Sequence, residues 1–279
     1  MKRIAICAPG APLAREAADR VMRMAENYPA LELHFHDQCF ASEGHFAGAD
    51  PVRLAALLEC ANDPTFDAVW FAKGGYGSAR IAEPFLAALE AAGARKEYLG
   101  YSDTGTLLGA LYGRQIGRQT HAPMPTDMLR PGGEAAVARV LEWLGGSPAG
   151  VEPALGEQPV AAFNLMTLAM LVGTPLMPDL AGHVVLVEEV AEHLYAVDRL
   201  FFHITAQSPD IAGLRLGMVS AVPANDREFG CDEEAIARYW CARTGIPYLG
   251  RAQIGHDAEN RIVPFGKAQD RLARAPQLS

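Results

Sequence analysis

Cysteine, positive charge and long apolar runs are all scarce in this 279-residue chain, and each shortage excludes something. The five cysteines, Cys7, Cys39, Cys60, Cys231 and Cys241, are odd in number and include no Cys-x-x-Cys pair, so neither a disulfide framework nor a metal site is suggested. No apolar stretch approaches the ~20 residues that span a bilayer, and no membrane partner is expected. The opening run Ile4-Ala5-Ile6-Cys7-Ala8 stops at Pro9, too short for the apolar region of a secretory signal, so a cytoplasmic protein is expected. Lys and Arg number 24 against 33 Asp and Glu, a net charge of −9, and no basic run exceeds Lys2-Arg3. That pattern argues against nucleic acid as a partner. The Gly-x-Gly-x-x-Gly spacing and the Gly-Lys-Ser/Thr ending of a P-loop are also missing, which disfavours a nucleotide site and implies no cofactor.

What is present is alternation. Short apolar runs are followed by longer helical patterns, the signature of strands feeding helices in a mainly parallel sheet, and the fold class is α/β. Strands are expected at residues 3–8, 31–36, 67–72 and 97–100, with helices opening at Pro12, over 51–61, over 84–93 and over 104–112. Between Gly145 and Pro159 the composition turns to Gly, Ser, Pro, Ala and Glu without periodicity, as in a linker. The chain therefore divides into an N-terminal, flavodoxin-like parallel-sheet domain (1–146), a linker (147–160) and a smaller C-terminal α/β domain with mixed strands (161–279). In that second half we expect a helix over 164–172 and a strand buried on both faces at Val184-Val185-Leu186-Val187. A helix carrying Leu194, Val197, Leu200, Phe201 and Ile204 follows, then a strand at 216–222, a helix at 232–244 and two short strands, 248–254 and 260–264, paired with each other.

In open α/β sheets the ligand lies beyond the carboxyl ends of the strands. Four unusual features fall there: the glycine loop 74–77, Ser102-Asp103, Glu188-Glu189, and His256 after Ile254-Gly255. Ser, Glu and His form a complete nucleophile set, because a serine hydroxyl needs a base to take its proton and a third group to orient that base. Each residue also has a plainer reading. Ser102 suits a helix cap, Glu188 the first polar residue past a strand, and His256 a turn histidine; pattern alone does not separate Glu188 from Glu189. His34 and His36 would share one face of a strand, but no third metal ligand accompanies them.

Taken together the residues resemble a known family. Phe71-Ala-Lys-Gly-Gly-Tyr-Gly-Ser-Ala-Arg80 and Gly100-Tyr-Ser-Asp-Thr104 are similar to the Arg-Gly-Gly-Tyr-Gly and Gly-(Phe/Tyr)-Ser-Asp-x-Thr signatures of the LD-carboxypeptidases, serine peptidases with a Ser-Glu-His triad. Gly48-Ala-Asp-Pro-Val-Arg53, the Asn164-Leu165 segment, Leu186-Val-Glu-Glu-Val-Ala-Glu192, Tyr195-Ala-Val-Asp-Arg199 and Gly255-His256 extend the resemblance over nearly the whole chain. It implies Ser102 as nucleophile, His256 as base and Glu188 as the orienting acid. The oxyanion hole would be the N–H groups of Asp103 and Gly75, and Asn164 and Glu192 would bind substrate. It further implies no metal, a small muropeptide as partner, and a homodimer of the kind common in the family.

The implied reaction is cleavage of an L–D peptide bond that releases D-alanine from murein tetrapeptide in wall recycling. A related branch hydrolyses peptidyl-nucleotide antibiotics of the microcin C type and carries lysine where this chain has Glu192. A non-catalytic muropeptide binder is the third alternative. The chain departs from the family pattern at Lys73 (usually arginine), at Ala162-Phe163 (usually two glycines), at Ala122 (usually glycine) and at Gly105 (usually larger).

Overall fold

A computed structural model describes residues 1–208, 210–267 and 270. Two sheets meet edge to core. The first contains β1 (Lys2–Cys7), β2 (Leu31–Phe35), β3 (Ala68–Phe71), β4 (Glu97–Gly100), β5 (Arg118–His121) and the short β10 (Val263–Pro264), in the order β10-β5-β4-β3-β1-β2. Its five long strands run parallel in the flavodoxin-like order 2-1-3-4-5, and β10 joins β5 antiparallel. The second sheet holds β6 (Val160–Asn164), β7 (Val184–Val190), β8 (Gly213–Ser220) and β9 (Tyr248–Arg251), all parallel in sequential order. The helices are α1 (Arg15–Ala25), α2 (Asp50–Asn62), α3 (Ser78–Ala88), α4 (Gly105–Gly113), α5 (Gly133–Leu144), α6 (Leu165–Leu171), α7 (Leu194–Gln207) and α8 (Glu233–Thr244). None of them is long and apolar enough to cross a membrane.

Alternation along the strands builds two cores. Ile4, Ile6, Trp70 and Leu99 point to the face covered by α1 and α5, while Ala5, Cys7, Val69, Phe71 and Tyr98 point to the other face. That second core is continuous with Phe163, Leu165, Leu186 and Leu214 of the other sheet, so the two sheets share one apolar interior. Cys7, Cys39, Cys60 and Cys241 are buried free thiols, and Cys231 is exposed.

Several expectations need correction. The strands at 248–254 and 260–264 do not pair with each other: β9 continues the second sheet beside β8, and β10 crosses back to the first. The mixed character thus belongs to the N-terminal sheet and the second sheet is purely parallel. Strand β5, helix α5 and strand β6 were not expected. The polar Arg118-Gln119-Thr120-His121 conceals a strand whose last three residues are buried, and Val160 to Asn164 lay partly inside the supposed linker. Helix α3 begins six residues before Pro84, which sits inside it. The part of the chain beyond 267, apart from residue 270, lies outside the described residues.

Candidate active site

The nucleophile candidate stands on a strained turn. Strand β4 ends at Gly100, Tyr101 remains extended, and Ser102 takes φ of 60°, a left-handed conformation that a residue with a Cβ rarely adopts. A single 3₁₀ turn then leads into α4, so Ser102 lies above the sheet at the positive end of a helix. Thr167 Oγ1 of α6 donates to the Ser102 carbonyl at 3.3 Å, tying this turn to the second sheet.

Three side chains from distant parts of the chain converge there. His256 Nε2 lies 3.0 Å from Ser102 Oγ, and His256 Nδ1 lies 2.7 Å from Glu188 Oε2. Glu188 is fully buried on β7 and the His256 side chain is 8% exposed, which strengthens the interaction relative to one in water. Since the carboxylate accepts at Nδ1, the proton resides on that nitrogen and Nε2 is left to accept from the Ser102 hydroxyl. Strand alternation separates the two neighbouring acids. Glu189 turns away from His256: its Oε1 accepts from Asn164 Nδ2 at 2.7 Å and from Val190 N at 2.8 Å, and its Oε2 accepts from Met166 N at 2.8 Å.

The glycine loop between β3 and α3 closes one side of the site. A Cβ on Gly74 would meet Ser102 Cβ at 3.0 Å, Ser102 Oγ at 3.1 Å and Asp103 N at 3.4 Å, so glycine keeps open a small volume beside the hydroxyl. The Gly74 carbonyl accepts from Ala11 N at 2.9 Å, which turns the N–H of Gly75, in the same planar trans peptide, to the opposite side. The loop is held from below. Buried Arg53 donates to the carbonyls of Gly77 at 2.9 Å, Gly48 at 3.2 Å and Pro9, and pairs with Asp50. Asp103 Oδ2 accepts from Ser78 N at 3.0 Å, linking the residue after the nucleophile to the start of α3. Burial pushes the Asp103 carboxyl up from its ordinary value, opposed by the hydrogen bonds it accepts from Ser78 and Gly77 and by Arg53.

Behind His256 lies a network that sequence reasoning missed. The buried Tyr101 ring sits 4.8 Å from the His256 ring and 5.4 Å from that of His121. Its hydroxyl donates to Asp127 Oδ1 at 2.9 Å and accepts from Arg130 Nη1 at 3.1 Å. His121 Nε2 lies 2.9 Å from Asn260 Oδ1, which also accepts from Gly255 N at 3.3 Å, so Asn260 links β5 to the turn that carries His256. Tyr101 lies in the Gly100-Tyr-Ser-Asp-Thr104 segment and His121 directly precedes the Ala122 departure. Asp127, Arg130 and Asn260 gave no signal, because nothing local distinguishes them from turn residues.

Of the remaining expected site residues, Asn164 lies beside Glu188 in the register of β6 and β7, and neither it nor Glu192 hydrogen-bonds a triad side chain among the described residues. Asn164 caps α6, its Oδ1 accepting from Thr167 N at 3.0 Å, and with its Nδ2 on Glu189 the amide is occupied by scaffold bonds. Glu192 is half-buried in the turn between β7 and α7 and has no polar partner among the described residues. His36 is engaged by Glu59 at 2.9 Å and by Gln38 N, and no group of three metal-ligating side chains occurs among the described residues.

Comparisons with known proteins cover both halves of the chain. The LD-carboxypeptidase N-terminal domain pattern matches residues 4–122, and the C-terminal domain pattern matches residues 159–269. The murein tetrapeptide carboxypeptidase of Pseudomonas aeruginosa is 26% identical over 95% of this chain and 91% of its own length. Among solved structures, the muramoyltetrapeptide carboxypeptidase from Oxalobacter formigenes is similar in fold with a TM-score of 0.79 at 24% identity, covering 95% of this chain and 93% of that one. The microcin C7 self-immunity protein MccF is similar in fold with a TM-score of 0.77 at 17% identity, over 95% and 91% of the two chains. Both halves of the chain, and with them both sources of the converging side chains, are thereby accounted for by one kind of enzyme: the chain belongs to the LD-carboxypeptidase family and is a serine-type carboxypeptidase.

Proposed function

We propose that the chain hydrolyses the L–D peptide bond before a C-terminal D-alanine of a murein tetrapeptide, a reaction of peptidoglycan recycling, with Ser102 as nucleophile. The unbroken line Glu188, His256, Ser102 carries this reading. His256 takes the Ser102 proton as Oγ attacks the scissile carbonyl, and Glu188 stabilises the imidazolium that forms. The negative oxygen of the tetrahedral intermediate is received by the N–H groups of Asp103 and Gly75 at the mouth of α4. His256 then returns the proton to the leaving amine, D-alanine departs, and water attacks the acyl-enzyme by the same route. Glu192, with no partner of its own, favours the amino group of a diaminopimelate side chain over the phosphate of a nucleotide.

The test is release of D-alanine from L-Ala-γ-D-Glu-meso-diaminopimelate-D-Ala by the purified protein beside Ser102→Ala. Release by the wild type with a loss on the order of 10⁴-fold in the variant is expected. Equal release by both would reject Ser102 as nucleophile. Release by neither, with hydrolysis of a peptidyl nucleotide by the wild type, would transfer the site to that substrate class.

A further inference from the structure

A carboxypeptidase must read the free carboxylate at the end of its substrate, and none of the groups assigned above does so. The requirement is sharp in this site, because the surrounding buried side chains are acidic: Asp103, Asp127, Glu188 and Glu189 are each less than 9% exposed. An anionic chain end brought among them is repelled unless a cation meets it.

Most cations near this edge of the sheet are already engaged. Arg53 is taken by three carbonyls and Asp50. Arg80 is held by Asp50 at 2.7 Å, and Arg130 by Asp127 at 3.3 Å together with the Tyr101 hydroxyl. Lys73 is different. It is half-buried, follows the end of β3 directly, and has no hydrogen-bond or ion-pair partner among the described residues. Its neighbour Gly74 is the residue that packs against the Ser102 hydroxyl, which puts the Lys73 Cα within about 8 Å of Oγ. The four-carbon lysine stem spans about 6 Å. In a C-terminal residue the carboxylate carbon is only three bonds from the scissile carbonyl carbon, so a carboxylate bound for cleavage lies about 4–5 Å from the nucleophile, within reach of the ammonium.

We propose that Lys73 is the anchor for the terminal carboxylate of the substrate, the group that restricts this site to the last peptide bond of a chain. The proposal rests on the peptidase reading and supplies its specificity. A half-buried lysine with no fixed partner among the described residues, directly before the site's glycine loop, is poised to exchange water for a carboxylate, and an amide or ester end gains nothing from it.

The test compares the tetrapeptide acid with its C-terminal amide on the wild type, Lys73→Met and Lys73→Arg. The wild type should prefer the acid, and Lys73→Met should lose on the order of a hundredfold in kcat/KM on the acid, mainly through KM, with little change on the amide. Lys73→Arg should recover most of the loss. An equal fall on acid and amide, or no fall on the acid, would overturn the assignment. A second readout separates this from the reading it rests on: affinity of acid and amide for Ser102→Ala protein with and without Lys73→Met. Lys73-dependent preference for the acid with no turnover in the wild type would reject the peptidase reading and keep the anchor. Binding indifferent to the carboxylate would remove the anchor whatever the turnover.

Discussion

His121 shows how burial at a single residue sets a limit for the site. It is completely buried, and desolvation pushes its imidazole down to about 4, with the nearby His256 lowering it further and the bond to Asn260 raising it. A histidine with a depressed folded pKa is neutral in the native state while the unfolded chain still takes up a proton near 6.5. Its contribution to stability is therefore complete above about pH 6.5 and disappears as pH falls toward 4, worth about 3 kcal/mol across that window. Asp103, Asp127 and Glu189 act in the opposite sense, since burial raises all three and they favour the folded state at the acid end. The separation is made by difference. Urea denaturation at pH 4.5, 5.5 and 7 should show the wild type losing stability toward acid more steeply than His121→Gln; parallel curves would mean that His121 does not titrate in this range.

At the scale of elements, two departures from the family pattern turn out to be two sides of one contact. Phe163, at the end of β6 where the family has glycine, faces α4. A Cβ on Gly105 would lie 3.6 Å from the Phe163 ring, and one on Gly109 would lie 3.2 Å from it and 3.1 Å from Leu171 Cδ1. The missing bulk on the helix is supplied by the strand. Gly109→Val should destabilise the fold by about 1–3 kcal/mol through overpacking, and adding Phe163→Ala should recover part of that loss; additive effects in urea denaturation would refute the exchange. The same contact explains what was legible in the sequence. Strands that are short continuous apolar runs, such as β1 and β3, declared themselves, as did helices with an apolar stripe. Strand β5 did not, because the partners of its polar residues, Glu97 for Thr120 and Asn260 for His121, are distant in sequence. For Glu188 and Glu189 the pair was evident, but which one meets His256 depends on strand parity and on the register shift between Val187 and Glu189. Asn164, read in the sequence as substrate-binding, is a helix cap bound to Glu189, a role that only the fold defines.

For the molecule as a whole, the question is what keeps a serine on one sheet in register with a glutamate on the other. His256 belongs to a segment that leaves the second sheet after β9 and returns to the first as β10, so its position depends on both. The segment is fastened by Glu152 in the connection before β6. Glu152 Oε1 pairs with Arg215 Nη1 of β8 at 2.9 Å, and its Oε2 accepts from Gln253 N, three residues before His256, at 2.8 Å. The Arg215 guanidinium also donates to the carbonyls of Ala154 and Arg251. With side chains only 10% and 1% exposed, Arg215 and Glu152 form a buried pair whose value shows when one member is removed and the other is left uncompensated. Glu152→Ala should therefore cost about 3–5 kcal/mol and lower Tm by roughly 10 °C, with a fall in kcat as the His256 segment loosens. Replacing both partners, Glu152→Ala with Arg215→Met, removes the stranded charge and should return much of the stability. The Gln253 N–H would still lack its acceptor, so kcat should stay low. Recovery of kcat together with Tm in the double variant would mean that the pair stabilises the fold without setting the position of His256.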